Sequence, residues 1–243
     1  ALLNYAPAIA EAYYQQIPLI VLSADRPDHL IDQGDGQTIQ QQDVYHNYIR
    51  KSVHLPEKID LKIESEVYQR LVFDALEACS APVCGPVHIN VPLDEPLYGL
   101  KKKETLSIIN YKRNQYVSAV TNEKKSELKS IWEKSGKKLI IVGQHLPDNQ
   151  LQQLLFEMAI QDTVVLTETT SNMFSKDFVS HIDQVLTQIN EQNEERYYPD
   201  IVISLGGHIV SKKIRAWLRN GKDYQHWHIS LDDRAPNTFF HLK

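Results

Sequence analysis

The sequence has little of what would set it apart from an ordinary α/β protein. Two cysteines in 243 residues, Cys79 and Cys84, make no disulfide framework. A C-x4-C pair with no second pair is not a zinc spacing, so the two read as small packing thiols in a reducing cytosol. No stretch approaches the roughly 18 apolar residues that a membrane-spanning helix needs, and no integral membrane segment is expected. An excess of basic charge is also missing. Lysine and arginine number 26 against 31 acidic residues, for a net charge of −5, which argues against a nucleic-acid partner. The ten histidines show no H-x3-H or HExxH pattern, and G-x-S-x-G and G-x-G-x-x-G are absent. The start, Ala1-Leu-Leu-Asn-Tyr-Ala-Pro7, has neither an initiator methionine nor a signal peptide. It reads as the middle of a domain, so the chain is expected to be a piece of a longer, cytoplasmic protein.

What is present is a series of short aliphatic runs between amphipathic stretches. Residues 1–17 carry apolar side chains at helical spacing and stop at Pro18. Leu19-Ile-Val-Leu22 has the look of a strand buried on both faces. Val53-His-Leu55 reads as a short strand, 60–78 as a helix, and Val87-His-Ile-Asn-Val91 as a second buried strand. Strand, helix, strand is the unit of a parallel α/β domain. From Pro92 to about Asn122 the composition turns to Pro, Gly and Lys, as in an interdomain linker. Then strands at 139–143, 164–166, 201–205 and 225–231 alternate with helices at 123–133, 149–158, 181–190 and 211–219. The fold class is α/β, with domains at 1–100 and 123–243 joined by a linker over 101–122. The second domain is expected to be a Rossmann-like doubly wound sheet.

Ligands of open parallel sheets gather beyond the carboxyl ends of strands. Three loops qualify: 23–40, 168–172 and 206–211. The first holds Gly34-Asp-Gly36, a triplet that in some enzymes opens a metal-diphosphate site. Here polar residues precede it, and about 28–31 residues after Gly34 the chain reads Lys62-Ile-Glu-Ser65, with no Asn to complete a metal site. A glycine turn with positive φ is the simpler reading. Arg26, directly after the first strand, can fork onto a carboxylate, or it can pair with Asp25, Asp28 or Asp32. Lys212 and Lys213 start a helix after Gly206-Gly207, with Ser211 as N-cap. They either draw an anion to the free N–H groups of the helix start or sit solvated on an ordinary helix. His88, inside a strand, reads as a hydrogen-bonded core residue.

Several of these segments together resemble one family. They are Pro18-Leu-Ile-Val-Leu-Ser-Ala-Asp-Arg-Pro27, Gly34-x-x-Gln37-Thr-Ile-x-Gln41, Gly85-Pro-Val-His-Ile-Asn-Val-Pro92, Glu95-Pro-Leu-Tyr98 and Leu205-Gly-Gly-x3-Ser-Lys-Lys213. The family is the thiamine-diphosphate-dependent 2-succinyl-5-enolpyruvyl-6-hydroxy-3-cyclohexene-1-carboxylate synthases of menaquinone biosynthesis. The resemblance implies that residues 1–100 are the second half of a pyrimidine-binding domain and 123–243 the central domain. It also implies a transferase that decarboxylates 2-oxoglutarate and joins the remaining four-carbon unit to isochorismate, the cofactor carrying the carbon chemistry.

Both substrates are dicarboxylates, and by the same resemblance Arg26 binds a substrate carboxylate, Gln37 contacts the reacting species, and Lys212 and Lys213 face acceptor carboxylates. Lys213 stands where other members can have Arg, and a lysine lacks the guanidinium fork. Asp35 and Gly36 depart from the Ala and Asn or Pro usual there. The family's catalytic Glu is expected upstream of Ala1, and its Mg²⁺ (or Mn²⁺) and diphosphate domain downstream of Lys243. The piece alone is therefore expected to hold no cofactor or metal and to be inactive, and the complete enzyme to be a homodimer or homotetramer. Two other readings stay open: another thiamine-diphosphate decarboxylase related to acetolactate synthase, and a non-catalytic nucleotide or effector module.

Overall fold

The computed structural model describes residues 2–34, 36, 38–57, 62–80, 82–94, 119–190, 192–221, 223–231 and 236–242, with side chains from 66 onward in the helix that begins at 62. The chain divides into two compact units, Ala1–Val117 and Ser118–Lys243. The expected linker over 101–122 lies mostly outside the described residues. So do Glu95–Tyr98, Lys101–Lys103, Asp35 and Gln37.

The first unit is a three-stranded parallel sheet. Its strands are β1 (Ile20–Asp25), β2 (Lys51–His54) and β3 (Val87–Pro92), in the order β1-β3-β2. Helix α1 spans Ala6–Tyr14 and α2 spans Lys62–Ser80. The α-helix starts at Ala6 rather than Ala1, after a 3-10 turn over Leu2–Tyr5. Pro7 sits at the helix start, where its missing N–H costs nothing; one turn deeper it would break the helix. Under α2, Val53, Val87 and Ile89 pack with Ala75 and Cys79. Burial raises the Cys79 thiol above its usual pKa, as befits a packing residue. Under α1, Val21 packs with Ile9 and Tyr45.

Strand β1 departs from the sequence expectation. It is not buried on both faces: Ile20 is 50% and Leu22 70% exposed. Its register pairs Ile20 with Val87 and Leu22 with Ile89, so these side chains face the α2 side of the sheet. They stand on an edge strand, and the α2 cluster closes over β2 and β3 only.

The second unit holds β4 (Lys138–Val142), β5 (Thr163–Thr167), β6 (Ile201–Leu205) and β7 (Gln225–Ile229), all parallel, in the order β5-β4-β6-β7. Helices α3 (Asn122–Lys134), α4 (Asn149–Ala159), α5 (Ile182–Leu186), α6 (Glu194–Tyr197) and α7 (Lys212–Asn220) accompany them. One sheet face buries Leu139, Ile141 and Val202 under α5 and α7. The other buries Ile140, Val142 and Ile203 against Leu155 of α4 and Trp132 of α3. Both faces are covered, which is why the central strands read as unbroken aliphatic runs. This is the doubly wound sheet that the sequence leads one to expect.

Two boundaries move. The helix expected over 181–190 is helical only to Leu186. Beyond it, side chains of Thr187, Asn190 and Asn193 bond nearby backbone groups and take over from the helical ladder. Strand β7 stops at Ile229, whose partner Leu205 is the last residue of β6.

Inside this sheet His226 is fully buried. Its Nε2 lies 2.7 Å from Ser204 Oγ, which also lies 2.9 Å from His228 Nδ1. Burial, with His228 and His241 adding to it, pulls the His226 pKa down from 6.5 to about 4. The folded state therefore refuses a proton that the unfolded chain accepts. Stability is full above about pH 6.5 and is lost as the pH falls toward 4, by on the order of 3 kcal/mol. A urea titration series between about pH 7 and 4.5 should show a falling midpoint, with a flatter slope in His226→Asn. At the strand ends, a Cβ on Gly143 would lie 2.2 Å from the Gly207 carbonyl oxygen, a backbone atom. Gly143→Ala should cost roughly 1–3 kcal/mol, read as a lower Tm.

Candidate functional site

Each unit presents one loop cluster at the carboxyl ends of its strands. In the first, β1 ends at Asp25 and hands the chain to Arg26 and the buried Pro27. Asp25 Oδ1 accepts from the Arg26 backbone N–H at 2.9 Å and from Gln41 Nε2 at 3.0 Å. The same Gln41 amide reaches the Ala24 carbonyl at 3.1 Å. The carboxylates that the sequence offers as partners for Arg26 have further partners of their own. Asp25 receives Asn90 Nδ2, Asp28 lies 3.0 Å from His54 Nε2, and Asp32 accepts from Gln40 Nε2 at 2.7 Å. Arg26 itself is half-buried.

Gly34 and Gly36 are both turn residues. Gly34 has φ +77° and Gly36 φ +54°, conformations that suit glycine. A Cβ at Gly36 would meet Arg26 Nη2 at 3.9 Å, so the turn lies beside the guanidinium. Among the described residues, no group of three His, Cys, Asp or Glu side chains could hold a metal ion.

His88 is 1% exposed and bonded to Ser23, the core histidine that its strand position suggests. Burial lowers its pKa. Gln41 closes the motif that carries the family resemblance, but its bonds back to β1 are not readable there: it sits in a run of three glutamines.

In the second unit the strand order reverses at β4, so its ligand position lies beyond β4 and β6. There the two following loops hydrogen-bond to each other. Gly143 N–H donates to the Leu205 carbonyl at 2.9 Å, Gln144 N–H to His208 at 3.0 Å, and Gly207 N–H to Gln144 at 2.7 Å. With Gly143 and Gly207 in such close approach, the gap through which a doubly wound sheet commonly admits a pyrophosphate is filled by backbone.

Lys212 and Lys213 are exposed in the first turn of α7. Ser211 caps that helix, accepting from Ile214 N–H at 3.2 Å, and itself bonds Asp183. A carboxylate of the chain itself lies just before this helix start. The Glu168 carboxylate, from the loop after β5, already accepts from Val210 N–H at 2.8 Å and Ser211 N–H at 2.7 Å. It supplies the negative charge that offsets two lysines at the positive end of a helix. Position directly after a strand marks Glu168 as interesting, but its partners 42 and 43 residues away are not readable from the sequence. Arg26 thus belongs to the first unit's cluster, Lys212 and Lys213 to the second's, and Gln37 lies outside the described residues.

Residues 103–238 match a family described as the middle domain of thiamine pyrophosphate enzymes. Proteins named 2-succinyl-5-enolpyruvyl-6-hydroxy-3-cyclohexene-1-carboxylate synthase are similar across both units. The one from Flavobacterium psychrophilum is 40% identical over 98% of this chain and 42% of its own length. That from Christiangramia forsetii is 41% identical over 100% of the chain and 45% of its own. That from Desulfotalea psychrophila is 39% identical over 99% and 48%. The chain thus spans less than half the length of these curated relatives. A solved structure described as a thiamin diphosphate-dependent enzyme of Mycobacterium smegmatis superposes with a TM-score of 0.57, at 12% identity, over 95% of this chain and 43% of its own. It shows the shared fold. No described helix is long and apolar enough to cross a membrane. The family match covers more than half of the chain and coincides with the doubly wound second unit: this chain belongs to the thiamine pyrophosphate enzyme middle-domain family.

Proposed function

We propose that this chain is part of a thiamine-diphosphate-dependent transferase that decarboxylates 2-oxoglutarate and adds the resulting unit to isochorismate in menaquinone biosynthesis. The observation that carries this reading is the 39–41% identity to synthases of that name, which runs through both units and not the middle domain alone. In this proposal residues 1–100 complete a pyrimidine-binding domain and 123–243 form the central domain. The catalytic Glu and the Mg²⁺- or Mn²⁺-diphosphate site lie in other parts of a cytoplasmic homodimer or homotetramer.

The residues of this chain bind and orient anions. Arg26 grips a substrate carboxylate through its guanidinium fork, at the end of a strand that fixes its backbone. Gln37, following the glycine turn beside Arg26, contacts the reacting species. Lys212 and Lys213 supply point charges toward acceptor carboxylates. The Glu168 carboxylate, bonded to the N–H groups of Val210 and Ser211, offsets part of the positive charge that the two lysines add to this helix start.

The complete protein, given thiamine diphosphate and Mg²⁺, should consume isochorismate only when 2-oxoglutarate is present. Turnover of pyruvate alone, as an acetolactate-type relative would show, contradicts the reading. Arg26→Ala should lower kcat/KM by about 100-fold, or about 3 kcal/mol, with Tm unchanged, and Arg26→Lys should recover only part of it. Lys213→Ala should raise KM for isochorismate. Its Tm should be unchanged or slightly higher, because a cation at a helix N-terminus costs about 0.3–1 kcal/mol. A loss of Tm with unchanged KM would instead make that lysine structural.

A further inference from the structure

Across the first sheet, one row of side chains is polar and buried. Register places Ser23 of β1 and His54 of β2 on either side of Asn90 of β3. Residues sharing a row of a parallel sheet point to the same face, about 4.8 Å from strand to strand. Asn90 is 0% exposed. Its Oδ1 accepts from Ser23 Oγ at 2.7 Å. Its Nδ2 lies 2.6 Å from Asp25 Oδ2 and 3.1 Å from His54 Nδ1. A carboxylate only accepts, so the amide nitrogen must be the group facing Asp25.

That orientation settles the rest of the chain of hydrogen bonds. Asn90 spends one N–H on Asp25 and the other on His54 Nδ1. His54 therefore carries its proton on Nε2 and donates it to Asp28, 3.0 Å away. Ser23 spends its hydroxyl proton on Asn90, so it accepts from His88 Nε2 at 2.6 Å. Every donor has one acceptor, and the three strands are cross-linked just below the loop that carries Arg26. The backbone is tied down as well: Leu55 N–H donates to the Asn90 carbonyl and Leu93 N–H to that of Asp25, both at 2.9 Å.

We propose that Asn90 is a positioning residue for Arg26, acting through Asp25. The Asp25 carboxylate is held by Asn90 on Oδ2. Its other oxygen then fixes the Arg26 backbone N–H and the Gln41 amide, and so both arms of the loop around Arg26. Without Asn90 the carboxylate loses the partner that sets its rotamer, and the guanidinium loses a fixed origin. The inference rests on the substrate-binding reading of Arg26 for its kinetic consequence, and on geometry alone for its structural one.

The test uses the complete protein and two readouts. In Asn90→Ala, amide exchange across 24–41 should accelerate at least tenfold, while strands 138–142 and 201–205 are unchanged. KM for the substrate that Arg26 binds should rise about tenfold, with kcat within about twofold. The double variant Arg26→Ala/Asn90→Ala should be no worse than Arg26→Ala alone, because a residue acting through Arg26 has nothing left to position. Unchanged loop exchange, or an Asn90 effect that multiplies in full onto Arg26→Ala, overturns the proposal. Should Asn90→Ala not accumulate as folded protein, Asp25→Asn tests the same link: it keeps the shape but sets an amide donor against at least one of the three donors now served, and the same outcomes decide. If Arg26→Ala alone leaves KM unchanged, the carboxylate-binding reading of Arg26 fails, and loop exchange by itself decides for or against Asn90.

Discussion

Adjacent parallel strands carry their side chains in shared rows, and the filling of the rows near the strand ends sets how firmly the loops beyond are held. In the second unit the strand ends mix aliphatic residues with buried Thr167 and the Ser204–His228 pair, and the loops beyond close on each other through Gly143 and Gly207. In the first unit the row of Ser23, Asn90 and His54, near the strand ends, is polar. Ser23, His88, Asn90 and His54 replace aliphatic packing with directed hydrogen bonds. A buried polar group with a partner costs little, and one without costs much. Such a row therefore tolerates few arrangements, and it fixes the loop above it more tightly than a greasy row could.

In both clusters the described carboxylates bond backbone N–H groups and uncharged side chains. Near Arg26, Asp25, Asp28 and Asp32 each have partners of another kind: Asn90, His54 and Gln40. Near Lys212 and Lys213, the Glu168 carboxylate is spent on backbone N–H groups and the Asp183 carboxylate on Ser211.

Much of the fold was legible in the sequence because burial on both faces leaves a plain trace. The runs at 139–142 and 201–205 are central strands with every face covered, and the order of strands and helices followed. What was not legible depends on distance. Ile20 and Leu22 look like core residues, but an edge position that α2 does not cover is a property of the whole sheet. The early end of α5 comes from Asn and Thr side chains competing for backbone. At the sites, strand-end position pointed to Arg26 and to the α7 start, and the positive φ of Gly34 and Gly36 accords with a glycine turn. The partners of Gln41 and Glu168 left no local mark, since they lie far along the chain.

The most direct measurement is a crystal structure of the complete protein with thiamine diphosphate and a non-reactive dicarboxylate analogue of 2-oxoglutarate. The expected result is a carboxylate oxygen within about 3 Å of the Arg26 guanidinium, with Asp25 still held by Asn90. A dicarboxylate bound elsewhere, with Arg26 turned away from it, would contradict the central claim that this loop is a carboxylate site.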